Sequence, residues 1–100
     1  MFDKLMNQMG PMKEAMEQSK RKLDTITVKG EAEGGLIAVY MNGNRRVTNI
    51  KIDTSLLEDG DQEALEELLQ VAMNKAIESA NNVNEMEMAN AARGMMPGMF

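Results

Sequence analysis

Two groups of basic residues, on different predicted elements, have the types and spacing to bind phosphate. Several ammonium and guanidinium groups together hold a phosphate backbone more firmly than one does. The alternative is an ordinary structural role, because basic side chains also stabilise helix C-termini and protect edge strands. The candidates at the end of the first predicted helix and along the third predicted strand are Lys20, Arg21, Lys22, Arg45, Arg46 and Lys51, with Lys4 and Lys13 as lesser candidates.

The residue types that catalytic and metal sites commonly need are scarce. The chain contains no His and no Cys, which removes the commonest general base and all thiolate ligands. Without His, the three serines Ser19, Ser55 and Ser79 cannot form a catalytic triad of the usual kind. The acidic run at residues 58–63 lacks the alternating ligands of a calcium loop and suits helix capping better. We therefore expect no enzyme activity, no metal and no cofactor.

The composition fits one small domain whose charge is unevenly distributed. The chain has 100 residues, 12 of them Met, and a net charge of −5. Residues 1–52 carry nine basic and six acidic side chains, whereas residues 53–100 carry two basic and ten acidic ones. Such asymmetry favours a partner for one half of the chain. The longest apolar run, 36–41, is too short to span a bilayer, and no signal-like stretch follows Lys4, so we expect a cytoplasmic protein.

The first helix is predicted from Met12 to about Leu23. Gly10-Pro11 is expected to break or begin it, which would leave residues 1–11 flexible. An apolar stripe with alternating spacings of four and three predicts that this helix lies along another one. The stripe consists of Leu5, Met9, Met12, Met16, Ser19, Leu23 and Ile26.

Residues 25–53 predict three strands joined by tight turns. Thr25 to Lys29 is β-branched and alternating, and the apolar run 36–41 is typical of a central strand covered on both faces. Turns at residues 33–35 and at Asn42-Gly43-Asn44 connect these segments into an antiparallel meander. In the third strand we expect Thr48, Ile50 and Ile52 on one face and Val47, Asn49 and Lys51 on the other.

A longer helix is predicted from Asp61, a good N-cap, after a loop or short helical turn at 54–60 for which Thr54 and Ser55 are the candidate caps. If residues 61–92 form one helix, it is roughly 48 Å long, whereas a compact chain of this size has a radius of gyration of about 13 Å. Its end must project, pack on another chain or break near Asn81-Asn82. The long helix and the two-sided strand 36–41 together predict that the protein pairs with a copy of itself. Residues 94–100 are expected to be a flexible tail.

Several short segments follow one another in an order that is specific as a set. They are Val28-Lys29-Gly30-Glu31-Ala32, Gly34-Gly35-Leu36, Met41-Asn42-Gly43, Ser55-Leu56-Leu57-Glu58-Asp59, Leu65-Glu66-Glu67-Leu68-Leu69, Ala72-Met73-Asn74-Lys75-Ala76 and Gly94-Met95-Met96-Pro97-Gly98. With this order, nearly the whole chain resembles the YbaB/EbfC family of bacterial nucleoid-associated proteins. The resemblance implies a homodimer whose helices project like the arms of tweezers, and DNA binding that helps to organise the nucleoid or to regulate gene expression.

We therefore expect residues 1–100 to form a single YbaB/EbfC-like domain of the α+β class. The protomer is expected to be α-β-β-β-α, with a three-stranded antiparallel meander and a long C-terminal helix, in a tweezer-like dimer. The expected partners are double-stranded DNA and a second copy of the chain, with no membrane and no small-molecule substrate, in the cytoplasm and nucleoid. The resemblance carries no motif of binding residues, so the six basic candidates rest on charge and position alone.

Two other functions stay open at this point. A protein-interaction module would use Met-rich helix faces, with Met12, Met16, Met86 and Met88, to grip an amphipathic helix of a partner. A metal- or nucleotide-dependent enzyme would have to show stabilisation by its ligand, and nothing in the spacing of the residues favours it.

Overall fold

A computed structural model describes residues 2–95 of the chain. Its elements follow the predicted order, and the segment before the long helix takes the helical of its two predicted forms. This confirms the predicted α+β class and the α-β-β-β-α protomer. The elements are α1 (Phe2–Asp24), β1 (Thr27–Ala32), β2 (Ile37–Asn42), β3 (Val47–Ile52), α2 (Thr54–Glu58) and α3 (Gln62–Met95), with a 3-10 turn at Glu33–Gly35 between β1 and β2.

The first helix runs through Gly10-Pro11, so the prediction of a break or a start at this pair is wrong. A proline inside a helix removes one backbone hydrogen bond and crowds the preceding turn. The rest of α1 offsets this cost, because most of its other residues are Met, Lys, Glu, Gln and other good helix formers. The flexibility of residues 1–11 and 94–100 stays a prediction, and residues 96–100 lie outside the described part of the chain.

The face of α1 that is buried follows the predicted stripe only near the end of the helix. Ser19 and Leu23 are buried as expected, but Met12 and Met16 are 53% and 52% exposed. Ala15 and Ser19 line a cleft that faces Ala91 of α3.

The three strands form an antiparallel sheet in the order β1-β2-β3, as the meander requires. The first strand begins two residues later than predicted. The N–H groups of Thr25 and Ile26 donate to the carbonyls of Lys22 and Leu23, at 3.1 and 3.2 Å. These bonds close the C-terminus of α1, so Thr27 is the first residue available for the sheet.

A β-bulge changes the faces of β3. Tyr40 pairs with Asn49, but the next residue, Met41, pairs with Val47, so Thr48 is the extra residue. Val47 therefore lies on the side of Met41, and its predicted place beside Asn49 is wrong. Strict alternation gives no sign of such an extra residue.

The core lies between α3 and one face of β1 and β2. Ala72, Ala76 and Ala80 of α3 are fully buried there. A Cβ at Gly30 of β1 would lie 2.1 Å from the Ala72 carbonyl oxygen and 2.3 Å from the Ala76 nitrogen, so only glycine allows this approach. The buried partners on the sheet are Ala32, Ile37, Val39 and Met41.

The other face of β2, here called the outer face, is covered by polar side chains. Ala38 on this face is only 5% exposed, and the pairing register places it between Glu31 and Lys51. The Lys51 ammonium lies 5.6 Å from the centre of the Tyr40 ring. Both faces of the central strand are thus covered, but on the outer face the cover is charged residues with aliphatic stems, without a second apolar layer.

The long helix continues past Asn81-Asn82, which excludes a break there, one of the three outcomes expected for its far end. Its 34 residues correspond to roughly 51 Å of helix. The molecule measures 65 × 28 × 18 Å and has a radius of gyration of 19.1 Å. We call the projecting pair of helices, residues 10–22 of α1 and 84–94 of α3, the arm.

Candidate nucleic-acid interface

The hairpin between β2 and β3 turns through residues 43–46, which present two arginines. The Arg45 N–H donates to the Asn42 carbonyl at 3.0 Å, and the Asn42 N–H donates to the Arg46 carbonyl at 2.9 Å. Arg45 has a φ of 66°, a position that glycine usually takes in such loops. The Asn42 side chain holds this conformation, because its oxygen accepts from the N–H groups of Asn44 and Arg46 at 2.9 and 3.1 Å.

This loop packs against the last turn of α1. The Asn44 side-chain amide donates to the Lys20 carbonyl at 2.8 Å and to the Asp24 carboxylate at 2.6 Å. The Gly43 N–H donates to the Leu23 carbonyl at 2.9 Å, and a Cβ at Gly43 would lie 2.9 Å from the same oxygen. The contact brings the two predicted basic groups together, although they lie on different elements.

The same loop is also fixed to α3. The Arg45 guanidinium donates to the Asn81 side-chain oxygen at 3.1 Å, and the Asn84 amide donates to the Gly43 carbonyl at 3.3 Å. Asn81, where a break of the helix was one expected alternative, is therefore an anchor for the loop. The sequence held one signal of this role: Asn81 and Asn84 are three residues apart and so share one face of the helix.

We call the meeting point of the two basic groups the basic end. All of its cationic residues are exposed. Two carboxylates lie close to them: Asp24 accepts hydrogen bonds from the amides of Asn42 and Asn44, and Glu87 of α3 forms an ion pair with Lys22. This excess of positive charge is suited to phosphate binding. The basic end consists of Lys20, Arg21, Lys22, Arg45 and Arg46, together with Asp24.

The opposite end of the sheet, which we call the acidic end, comprises α2, the loop after it and the start of α3. Two of its carboxylates cap helices: Asp53 accepts from the Ser55 N–H at 2.9 Å, and Asp61 from the Ala64 N–H at 3.1 Å. The Asp61 cap is confirmed, whereas Asp53 takes the capping role predicted for Thr54 or Ser55. The hydrogen bond from the Ser55 N–H lowers the pKa of Asp53.

The acidic end carries no basic side chain between residues 53 and 67. Among the residues the structure describes, no group of three or more carboxylates is placed to hold a metal ion. The carboxylates belong to Asp53, Glu58, Asp59, Asp61, Glu63, Glu66 and Glu67.

Comparison with known proteins identifies the family to which this fold belongs. Residues 1–95 match the YbaB/EbfC DNA-binding family. The chain belongs to this family. A nucleoid-associated protein from Flavobacterium johnsoniae is 43% identical over 98 residues, which cover 95% of this chain and 91% of that protein. A nucleoid-associated protein from Anaeromyxobacter dehalogenans (strain 2CP-C) is 36% identical over 96 residues, which cover 95% of this chain and 93% of that protein.

A solved structure shares the fold of this YbaB/EbfC chain. The crystal structure of the uncharacterized protein HP0035 from Helicobacter pylori has a TM-score of 0.65 at 29% identity, and the match covers 85% of this chain and 94% of that one. The resemblance found in the sequence is confirmed. The predicted DNA-binding function agrees with the description of the family, and the relatives are named for the nucleoid and not for an enzyme activity.

Lys51, the sixth candidate of the sequence analysis, lies apart from the basic end. It pairs with Ala38 on the outer face of the sheet. Arg46 lies opposite Asn42 and so shares this face, five residues away along β3, or roughly 15 Å. Lys51 therefore extends the basic end along the sheet without touching it.

Lys29 is a cation on the outer face that the sequence analysis did not single out. It pairs with Tyr40 in the register of β1 and β2, which places it on the same face as Lys51. Its ammonium forms an ion pair with Glu31, and this hydrogen bond raises the pKa of Lys29. The ion pair neutralises Lys29, so it adds little to the positive surface.

Lys22 differs from its neighbours at the basic end, because it forms an ion pair within the described part of the chain. Its ammonium lies 3.1 Å from a carboxylate oxygen of Glu87 on the other helix of the arm. Sequence reasoning missed Glu87, and the separation of 65 positions along the chain leaves no local signal of the pair. Of the lesser candidates, Lys13 is exposed on α1, and the side chain of Lys4 lies outside the described part.

Proposed function

We propose that this protein is a nucleoid-associated protein that binds double-stranded DNA as a homodimer and helps to organise the nucleoid or to regulate gene expression. The observation that carries the proposal is the hydrogen bond from Asn44 to the Lys20 carbonyl, at 2.8 Å, because it joins two basic groups into one surface. The proposed phosphate contacts are Lys20, Arg21, Lys22, Arg45 and Arg46 at the basic end, with Lys51 further along the outer face.

The polar side chains of the basic end favour contact with phosphates over contact with bases. Amides read adenine by presenting a donor and an acceptor together. The amides of Asn42 and Asn44 are occupied by the loop and by Asp24. The Lys and Arg side chains that remain suit the DNA backbone, and the net charge of −5 per chain makes weak, salt-sensitive binding the expectation.

An uncovered apolar surface on β3 supports pairing with a second copy. The core helix α3 packs on β1 and β2, whereas Val47 and Ile50 of β3 are 40% and 42% exposed on the same side of the sheet. A second copy packed there would bury this surface. It would also place two basic ends at a fixed separation, which strengthens binding to one duplex.

The proposal includes no catalytic step, no cofactor and no small-molecule substrate. It places the protein on DNA in the nucleoid, within the cytoplasm, because DNA is the proposed partner. None of the helices among residues 2–95 is long and apolar enough to cross a membrane.

The phosphate contacts are tested by measuring the affinity for a DNA duplex as a function of salt concentration. Lys20→Gln and Arg46→Gln should each lower the slope of log affinity against log salt by about one. Lys75→Gln, an exposed site on α3 with the same change of charge, is the matched control and should leave the slope unchanged. Absence of binding to any duplex at about 50 mM salt and micromolar protein would overturn the proposal.

Pairing is tested by light scattering. The wild-type chain should have twice the 11.1 kDa mass of the monomer. Ile50→Lys should shift it towards the monomer, because a charge would then occupy the buried surface, whereas Asn49→Lys on the outer face should not. A wild-type monomer at micromolar concentration would contradict the homodimer.

Exposed methionines on the arm favour a second candidate function, binding of a partner protein. Met12 and Met16 of α1 and Met86 of α3 are 53%, 52% and 66% exposed, and Met88 is partly exposed. Flexible thioether side chains adapt to the apolar face of another helix. Changing these four residues to Gln should abolish co-purification of a partner protein if the arm has this function. The change should leave the affinity for DNA as it is, because the basic residues are kept.

A further inference from the structure

The ion pair between Lys22 and Glu87 is uneven in its exposure to solvent. The Lys22 side chain is 62% exposed, whereas the Glu87 side chain is 11% exposed. Glu87 lies in a cleft of about 440 Å³ between the two helices of the arm, beside Ser19 and Asn90. Lys22 is therefore the partner that can leave the pair for a ligand in solution, and Glu87 is the partner that stays.

Breaking this pair is unfavourable mainly because of Glu87. A carboxylate that loses its cation inside a protein keeps the desolvation cost without the compensating attraction. Since Lys22 supplies this compensation, moving it to a DNA phosphate leaves Glu87 unpaired. The same reasoning does not apply to Asp24, which accepts hydrogen bonds from neutral amides and pairs with no cation of the basic end.

We propose that Glu87 competes with DNA phosphate for Lys22, so that contact between Lys22 and DNA requires the ion pair across the arm to open. This inference rests on the proposed DNA binding and adds to it a residue that lowers affinity. Glu87 acts as a positioning residue: it directs the Lys22 ammonium towards the cleft and ties the end of α1 to α3. DNA binding at the basic end is thereby coupled to the contact between the two helices of the arm.

The test compares two neutralisations on α3 that change the net charge equally. Glu87→Gln removes the carboxylate of the pair, and Glu85→Gln removes an exposed carboxylate two residues away. Affinity of the full-length chain for a 30-base-pair duplex is measured by fluorescence anisotropy between about 50 and 200 mM salt, over which the log of the affinity falls linearly with the log of the salt concentration. Helix content and melting temperature are recorded for each variant.

Glu87→Gln is expected to tighten binding roughly three- to fivefold more than Glu85→Gln, about the effect of one surface ion contact. Its salt slope should be steeper by about one. Lys22→Gln alone should weaken binding less than about twofold, while Lys20→Gln weakens it more. Adding Lys22→Gln to Glu87→Gln should remove the gain, because no cation is then released.

Equal effects of Glu87→Gln and Glu85→Gln would overturn the inference and leave only a general effect of charge. A loss with Lys22→Gln as large as that with Lys20→Gln would also overturn it, and this comparison does not depend on whether Glu87→Gln folds. If the wild-type chain binds no DNA, the proposed function fails. The ion pair between Lys22 and Glu87 is then tested without DNA, by hydrogen exchange of the backbone amides. Glu87→Gln should speed up exchange at residues 15–22, whereas Glu85→Gln should not.

Discussion

The two ends of the sheet carry opposite charge and are built in different ways. At the acidic end the carboxylates follow one another along a single stretch, residues 53–67, and two of them cap helices that begin there. At the basic end the cations come from two segments, and Asn42, Asn44 and Asn81 hold them together. The carboxylates thus have a structural explanation at helix N-termini. The helix dipole suits the cations at the end of α1, and Arg45 also fixes its loop to α3. The proposed role of these cations in binding DNA therefore rests on their lying together at one end of the sheet.

The distance between the two ends decides whether a chain with net negative charge can bind DNA. A strand of six residues spans roughly 20 Å. The Debye length is about 8 Å at physiological ionic strength, so the acidic end is largely screened from a phosphate bound at the basic end. The local positive surface then matters more for binding than the total of −5.

The largest effect is expected from disrupting the close packing of Gly30 in β1 against α3, the helix that runs between the two ends. Gly30→Ala places a Cβ 2.1 Å from the Ala72 carbonyl oxygen, against backbone that cannot move aside alone. The free energy of unfolding should fall by about 2–4 kcal/mol, as measured by urea denaturation. DNA affinity should fall with it, because α3 anchors the loop of the basic end.

Gly94→Ala is the matched control, since a Cβ at Gly94 meets nothing within 4 Å. Alanine favours helix over glycine, so this change should be neutral or stabilise the protein by up to about 1 kcal/mol. Equal destabilisation by the two changes would show that Gly30 is not a close contact.

A smaller effect is expected from loosening the basic end alone. Asn44→Ala removes the hydrogen bonds to the Lys20 carbonyl and to the Asp24 carboxylate. Stability should fall by about 1 kcal/mol, and DNA affinity should fall although no cation is lost. Asn74→Ala, at an exposed position of α3, should change neither. Unchanged affinity for Asn44→Ala in a salt titration would mean that the two basic groups bind DNA independently.

Neutralising the acidic end should have a weaker effect still. Glu63→Gln combined with Glu67→Gln removes two exposed carboxylates. Affinity for DNA should rise by less than about twofold at 50 mM salt and be unchanged at 150 mM, because screening already separates the two ends. An increase that persists at 150 mM salt would show that the acidic end lies closer to bound DNA than the separation of the two ends implies.

Local signals in the sequence predicted much of this fold. The Asp61 cap, the Asn-Gly turn and the continuous apolar strand each depend on neighbouring residues, and each is present near its predicted place. The bulge at Thr48 and the continuation of α1 through Pro11 depend on the surrounding structure, and alternation or propensity alone missed them.

The candidate site was predictable in its residue types but not in its assembly. Charge alone selected Lys20 and Arg46, and no pattern shows that Asn44 joins their segments. The pair of Lys22 and Glu87 forms between helices at opposite ends of the chain. The predicted stripe holds at Ser19 and Leu23 but fails at Met12 and Met16, and nothing in it brings Lys22 beside Glu87.

The smallest effect concerns pH at the acidic end. The hydrogen bond from the Ser55 N–H lowers the pKa of Asp53 below its ordinary value of 3.8. A carboxyl whose pKa is lower in the folded state stabilises that state above its unfolded pKa, and this contribution is lost as the pH falls through the folded pKa. Asp53→Asn keeps an oxygen that accepts the hydrogen bond but does not titrate. The wild type should therefore be slightly more stable than Asp53→Asn above about pH 4, and the difference should vanish at lower pH, as measured by urea denaturation of both proteins at each pH. A difference that stays constant down to the lowest pH at which both proteins fold would mean that the ionised carboxylate contributes nothing to the cap of α2.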